Sequence, residues 1–451
     1  MTSARWFKDL LGARGRSVLS ASGWSLLSRA AALGSLLVGT PLALDSLGIM
    51  LFGAWAVLAS VVSMSTFLDF GLGNGAMNRL ASAHAIGDHE VVAQLLRACT
   101  KALVKLSLGL SPLLAAGWAV VSWHTPLGLP DAFAAEAQIA AAVAIVAILI
   151  AIPLSIGSRA LLATGRGNHA FQWQILGHAT SLSCLIAAWT AGAGLPVFAL
   201  CTVVSPLVSG AGSLLHARHR LGGGLLSRRE CGPGLESAIW RDGAMFFVLQ
   251  ISAALAVSLD LLLVSSIRGA EEAGVFAIAQ RLFSLAPLAL SPLWLPLWPA
   301  YRHALARGEH QWVTRSLGKS LALAFSVSAV SSFLLALFFA EITEAWLGAS
   351  ITSGALLLVG FAVWSVLESV GAGIATFMNA IGAIRFQMQL AVAFAIASLS
   401  AKVLLLQHLG SETVPLITAS AYFFTVVIPI LFIFKRMLLA ASSWEEGAKH
   451  A

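Results

Sequence analysis

FQWQ, at Phe171–Gln174, returns as FQMQ at Phe386–Gln389, 215 residues further on. A second phrase repeats at nearly the same offset: AIGDHEVVAQL at Ala85–Leu95 resembles ARGEHQWVTRSL from Ala306, with Gly87-Asp88-His89 matching Gly308-Glu309-His310. Between the two halves lies HARHRLGGGLLSRRECGPG, a glycine-rich basic stretch near the midpoint of the 451 residues. Repetition at a fixed offset around a flexible centre reads as two homologous halves joined by a linker.

What each half contains follows from composition. Hydrophobic residues make up 58% of the chain, charged residues 10%, and the mean hydropathy is +0.87. Average soluble domains lie far from these values. A helix crossing the hydrocarbon needs about 20 mostly apolar residues, and twelve such runs can be found. They lie near 18–42, 48–68, 103–123, 137–158, 173–193 and 196–215, then 243–266, 275–297, 318–340, 352–378, 386–408 and 414–434. The strand alternation of an outer-membrane barrel is missing. The expectation is an all-α integral membrane protein of about twelve transmembrane helices in two homologous six-helix bundles. Its divisions are an interfacial amphipathic N-terminus at 1–17, a first bundle at 18–221, a cytoplasmic linker at 222–237, a second bundle at 238–436 and a cytoplasmic tail at 437–451.

Charge orients the chain. All of the 27 Lys and Arg except Arg29, Arg268, Arg281 and Lys402 fall in or beside the segments that are inside if both termini are cytoplasmic, as positive residues in short loops require. The pI of 9.6 then reports topology and attraction to a membrane surface, with no nucleic-acid motif behind it. RWFKDLLGARGR places Trp6, Phe7, Leu10 and Leu11 on one helical face, which suits a short helix in the inner interface. Cys99, Cys184, Cys201 and Cys231 have neither metal-ligand spacing nor a disulfide pattern, and no P-loop is present.

An even number of helices per half makes both halves enter from the same side, related by an axis along the membrane normal. That is a layout for alternating access around a central cavity. Function is then sought in polar residues at membrane depth, each of which needs a partner, a wet cavity or a ligand. Arg29 stands about eleven residues into helix one beside Ser25 and Ser28, and a cation there favours an anionic ligand. Asp260 and Arg281 each lie about six residues from one outer loop, share a depth, and are expected to pair. Lys402 and Glu368 stand in helices eleven and ten, His178 in helix five. Asp260 and Glu368 are candidates for ion coupling or helix pairing. In DFGLGNGAMNRL, from Asp69 to Leu80, glycines 71, 73 and 75 permit a bend that presents amides, Asn74, Asn78 and Arg79 to an anion.

That phrase, with LDLLLVSSIRGAEEAGVFAIAQRLFSLAPL (Leu259–Leu288) and LWPAYRHALARGEHQW (Leu297–Trp312), resembles the polysaccharide-transporter, Wzx-like oligosaccharide-flippase branch of the multidrug/oligosaccharidyl-lipid/polysaccharide (MOP, MATE-like) exporter superfamily. The resemblance implies a transporter and no enzyme. Its substrate would be undecaprenyl-diphosphate-linked oligosaccharide, moved across a bacterial plasma (inner) membrane for surface polysaccharide synthesis. It implies no cofactor beyond coupling to an H+ or Na+ gradient, and as partners membrane lipids and other polysaccharide-assembly membrane proteins. A lipid diphosphate needs a cationic cavity and an apolar lateral opening. Arg29 is then the first choice for the diphosphate, with Arg281 and Lys402 holding head group or sugars, and Trp55, Trp118 and Trp364 available for stacking on sugar rings. Two alternatives stand beside this reading: a cation-coupled multidrug exporter of the same superfamily, and a membrane glycan polymerase or ligase. The second would need a larger outer loop with a paired acid and base.

Overall fold

The computed structural model describes residues 13–64, 69–221, 243 and 247–433, and every described regular element is helical. The expected interfacial helix at the N-terminus, the linker and the C-terminal tail lie outside the described residues, apart from the first backbone turn of α1.

The first unit begins with α1, Ala13–Ser63, which bends at Gly48 (φ 67°, ψ 168°). Left-handed φ at this position costs glycine nothing, and the bend divides α1 into the two arms expected as the first two spans. Then follow α2 (Leu72–Ala85), α3 (His89–Val120), α4 (Ala134–Leu154), α5 (Ile156–Ala163), α6 (Gly167–Thr190) and α7 (Leu195–Leu221). After the linker come α8 (Phe247–Arg268) with a π-helical turn at Ala254–Ser258, α9 (Ala270–Phe283), α10 (Leu285–Ala306), α11 (His310–Leu337), α12 (Phe339–Leu347), α13 (Ala355–Ala380), α14 (Ile384–Leu409) and α15 (Val414–Tyr422), which continues through a second π-turn at Phe423–Val427. Ten segments of the described chain are long and apolar enough to cross a membrane. The α1 segment supplies two of the expected spans, and α6, more polar along its length, fills the one remaining place. The chain divides into two compact units, Met1–Ala254 with Gly269–Gly274, and Leu255–Arg268 with Val275–Ala451.

Burial is inverted relative to a water-soluble bundle, as the solvent requires. Along α11 the stripe Ser320, Ala324, Ser328 and Ser332 is buried, while Phe325, Val330 and Phe333 are exposed on the opposite side. Lipid leaves no hydrophobic incentive to hide a phenylalanine, so helices associate through small residues that let backbones approach. The first unit shows the same logic: a Cβ on Gly157 of α5 would stand 2.3 Å from the backbone nitrogen of Leu214 in α7.

The repeated phrases are now explained. Both copies of FQxQ lie in the opening turns of helices, α6 and α14. The turn ahead of each is the same. Gly165 (φ 71°) and Gly382 (φ 74°) are followed by an amide that reaches back five residues, Arg166 N–H to Leu161 O at 2.8 Å and Ala383 N–H to Met378 O at 3.0 Å. The other echo repeats the device. Gly87 (φ 76°) and Gly308 (φ 72°) precede Asp88 N–H to Ala83 O at 3.1 Å and Glu309 N–H to Ala304 O at 2.9 Å. Each is a glycine-capped helix end; Gly87-Asp88 and Gly308-Glu309 are themselves the reversal, whereas each FQxQ stands in the helix that follows one.

Candidate functional site

In the first unit, the polar residues of α1 face α6. Ser28 Oγ donates to Gln174 Oε1 at 2.9 Å. The side chain of Arg29, the next residue, is accessible, and its charge acts on His178, one turn beyond Gln174. His178 Nδ1 in turn lies 3.4 Å from Ser205 Oγ of α7. Gln174, the last residue of the first FQxQ, therefore has a position in a polar line that the motif itself did not reveal. It also lines a cavity of about 170 Å³ with Ser155, Ser158, Arg159, Ser209 and Ser213. Three of these hydroxyls donate to carbonyls of their own helices: Ser155 to Ile152 at 2.8 Å, Ser158 to Ser155 at 3.2 Å and Ser209 to Ser205 at 2.8 Å. Their lone pairs remain for a guest. Ser213 Oγ is buried with no hydrogen-bond partner in the structure, so this chamber has the polarity and room that ordered water needs.

One wall of that chamber holds an ion pair absent from the sequence reading. Arg159 of α5 pairs with Asp69, whose side chain is 1% exposed against 15% for the arginine. Asp69 also organises the bend before α2: its Oδ1 accepts from Gly71 N–H at 2.9 Å and its carbonyl from Leu72 N–H at 3.0 Å. Phe70 takes φ 51° there. Gly73 makes the pair sterically possible, because a Cβ at 73 would fall inside the guanidinium of Arg159. The bend is where the glycines indicated, yet the Gly71 amide expected to meet an anion is occupied by the protein's own carboxylate. Arg79 is half-buried on α2, and the side chains of Asn74 and Asn78 lie outside the described residues.

The second unit contains a drier pair, and it corrects the sequence reading. Asp260 was expected to meet Arg281; its ionic partner is Lys402, with Nζ 2.5 Å from Asp260 Oδ1 and both side chains buried. Shared depth is only one coordinate of a contact, and the direction a side chain leaves its helix is the other. The sequence did carry that second signal. Leu390, Phe394, Ser398, Lys402 and Leu406 form the buried stripe of α14 at four-residue spacing, which places Lys402 on the packed face. Its availability to a ligand is accordingly nil in this structure. Nζ also donates to Ala256 O at 2.5 Å, and Thr418 Oγ1 lies 3.5 Å from Asp260 Oδ2. Arg281 stands half-buried in the last turn of α9.

Glu368 of α13 keeps an accessible side chain within electrostatic reach of Tyr422. The Tyr422 ring meets Trp364 edge-on with 5.6 Å between centroids and Phe394 at 5.2 Å, and Trp364 stacks on Phe394 at 6.0 Å. A carboxylate thus neighbours an aromatic cluster. Of the other tryptophans proposed for sugar stacking, Trp55 is only 6% exposed, with Nε1 donating to Thr202 Oγ1 at 2.8 Å; it is a packing residue. Trp118 donates to Gln138 O at 3.0 Å and is 37% exposed. No group of His, Cys, Asp and Glu side chains among the described residues is arranged to hold a metal ion.

No protein-family model and no curated protein matches the sequence. Solved structures do match in shape. An inward-facing multidrug resistance MATE family transporter of the MOP superfamily superposes with a TM-score of 0.73 at 16% identity, covering 92% of this chain and 96% of that one. A MOP superfamily transporter from Pyrococcus furiosus, described as having a binding pocket of reverse polarity, gives 0.66 at 16% identity over 95% and 97%. The lipid II flippase MurJ in an inward closed conformation gives 0.63 at 12% identity over 94% and 89%. The chain thus has the fold of these solved structures, a MATE family transporter, a MOP superfamily transporter and the flippase MurJ.

Proposed function

We propose that this chain is a flippase that moves an undecaprenyl-diphosphate-linked oligosaccharide across a bacterial plasma membrane by alternating access. Arg29 carries the reading. Asp69 is matched to Arg159, and Asp260 to Lys402. Arg29 is an accessible cation in α1, next to Ser28, which bonds the amide of Gln174, and its charge reaches the ring of His178. A guanidinium in a low-dielectric, partly wet setting recognises a diphosphate by charge-assisted, bidentate hydrogen bonds, and the amide and imidazole groups nearby suit sugar hydroxyls. Arg79, Asn74, Asn78 and Arg281 are proposed as further contacts to the head group or sugars. The lipid tail stays in the bilayer.

Acute depletion in the native host tests the substrate, with the leaflet distribution of undecaprenyl-linked oligosaccharide as the readout. Accumulation in the inner leaflet, reversed by wild-type chain and not by Arg29→Ala at equal membrane abundance, is the expected result. Unaltered distribution after depletion, or full complementation by Arg29→Ala, would remove the proposal.

A second reading is favoured by one observation in the other unit. Glu368 beside Trp364, Phe394 and Tyr422 is chemistry suited to a lipophilic organic cation, as in a cation-coupled multidrug exporter. Under that reading depletion raises sensitivity to cationic dyes, and Glu368→Gln reproduces the phenotype while Arg29→Ala does not.

A further inference from the structure

The nitrogen of Lys402 is held as a cation is held. Its side chain is fully buried. Nζ stands 2.5 Å from the Ala256 carbonyl and 2.5 Å from the Asp260 carboxylate. Both are charge-assisted hydrogen bonds, in which the ammonium is met by oxygens as a small cation would be. Two hydroxyls bond to these oxygens in turn. Ser398 Oγ donates to the same Ala256 carbonyl at 3.0 Å, and Thr418 Oγ1 lies 3.5 Å from Asp260 Oδ2. The oxygens come from α8, α14 and α15, so the group ties three helices of the second unit at one point.

The backbone is shaped for this. Ala256 sits in the π-helical turn Ala254–Ser258, a local widening of the kind that often marks functional positions in helices. Its carbonyl accepts two side-chain bonds. One carboxylate sets the charge of the oxygen set at −1, which a single monovalent ion neutralises and a divalent ion would overshoot.

We infer that Lys402 is a tethered cation: its ammonium fills a site of oxygen ligands suited to a small monovalent ion, and removing it opens that site to Na+ or Li+ from solution. Tethering explains why no free ion is needed. A group on the same chain competes at an effective concentration in the millimolar range or above, without paying association entropy on each encounter. An exchangeable coupling ion, where transport uses one, must then bind elsewhere than at Asp260. The inference concerns only the second unit and holds whichever substrate is transported.

The test is thermal unfolding of the full chain, purified in one neutral detergent, in NaCl, LiCl, KCl or choline chloride at equal ionic strength. Wild type should unfold at one temperature in all four. Lys402→Met should unfold lower in choline and recover by about 3 °C or more in Na+ or Li+, since a ligand that binds only the folded state raises its midpoint. Lys402→Met with Asp260→Asn, which removes both charges, should lose the ion dependence. The inference fails if Lys402→Met unfolds at the same temperature in Na+ and choline, or if wild type shows a Na+-specific rise as large as the variant's. Should Lys402→Met be hard to isolate, solubilisation in Na+ and in choline decides. Monodisperse protein recovered only in Na+ supports the tethered cation, and none in either salt while the double variant is recovered overturns it.

Discussion

Among the described residues each unit contains a buried ion pair, and the two are built differently. In the first, Asp69 sits at a helix end where it also accepts from Gly71 N–H, and Arg159 keeps 15% of its side chain exposed beside a polar cavity. In the second, Asp260 and Lys402 meet within helices at a π-turn, with 5% and 0% exposure. Two chain reversals of one half nevertheless match two of the other, each closed by an amide that reaches back five residues. A reversal is local: a glycine, a left-handed φ and an amide reaching back five residues suffice anywhere. An ion pair depends on which helices face each other, so the two units can share one backbone plan while differing in charge.

The largest expected effect separates the pairs by dryness. Asp260→Ala strands an ammonium with no route to water and should cost about 3–5 kcal/mol, as loss of one partner of a buried pair does. Asp69→Ala should cost less, because Arg159 can turn into its cavity. Thermal unfolding of both variants in one detergent measures the difference, and equal losses would mean that exposure does not distinguish the pairs. Replacing both partners, as Asp69→Leu with Arg159→Met, should recover most of the loss.

Gly73→Ala comes next. Its methyl would occupy the space of the Arg159 guanidinium, so the pair must break for the methyl to fit. The loss should approach that of Arg159→Met, and the two substitutions combined should cost little more than either alone. An additive double-mutant cycle would show that Gly73 acts independently of the arginine.

The asymmetry between turns and pairs also explains what the sequence revealed. Apolar runs and repeated phrases located the twelve helices and the matching turns, because hydropathy and glycine act over a few residues. Arg159 escaped notice because it stands near the end of an apolar run, where it counted as an inner-side positive charge. The partner of Asp260 was misassigned because depth was read and helix face was not, although the four-residue stripe from Leu390 to Leu406 held that information. Trp55, a candidate sugar platform by residue type alone, is turned inward with its indole nitrogen bonded to Thr202. Arg29, by contrast, is exposed on α1.

The smallest effects probe the shared turn itself. Gly87→Ala and Gly308→Ala each force a side chain into left-handed φ at about 1–2 kcal/mol; at Gly87 a new methyl would meet nothing within 4 Å, so its loss should be pure backbone strain. The following residue then divides the halves. Asp88 accepts from Val91 N–H at 3.0 Å as the cap of α3, whereas Glu309 makes no side-chain cap bond to α11. Asp88→Ala should therefore cost about 1 kcal/mol and Glu309→Ala close to nothing. Equal costs at both caps would mean that the acidic residue is retained for its charge near a helix N-terminus, since charge is what the two residues share and only the aspartate is bonded.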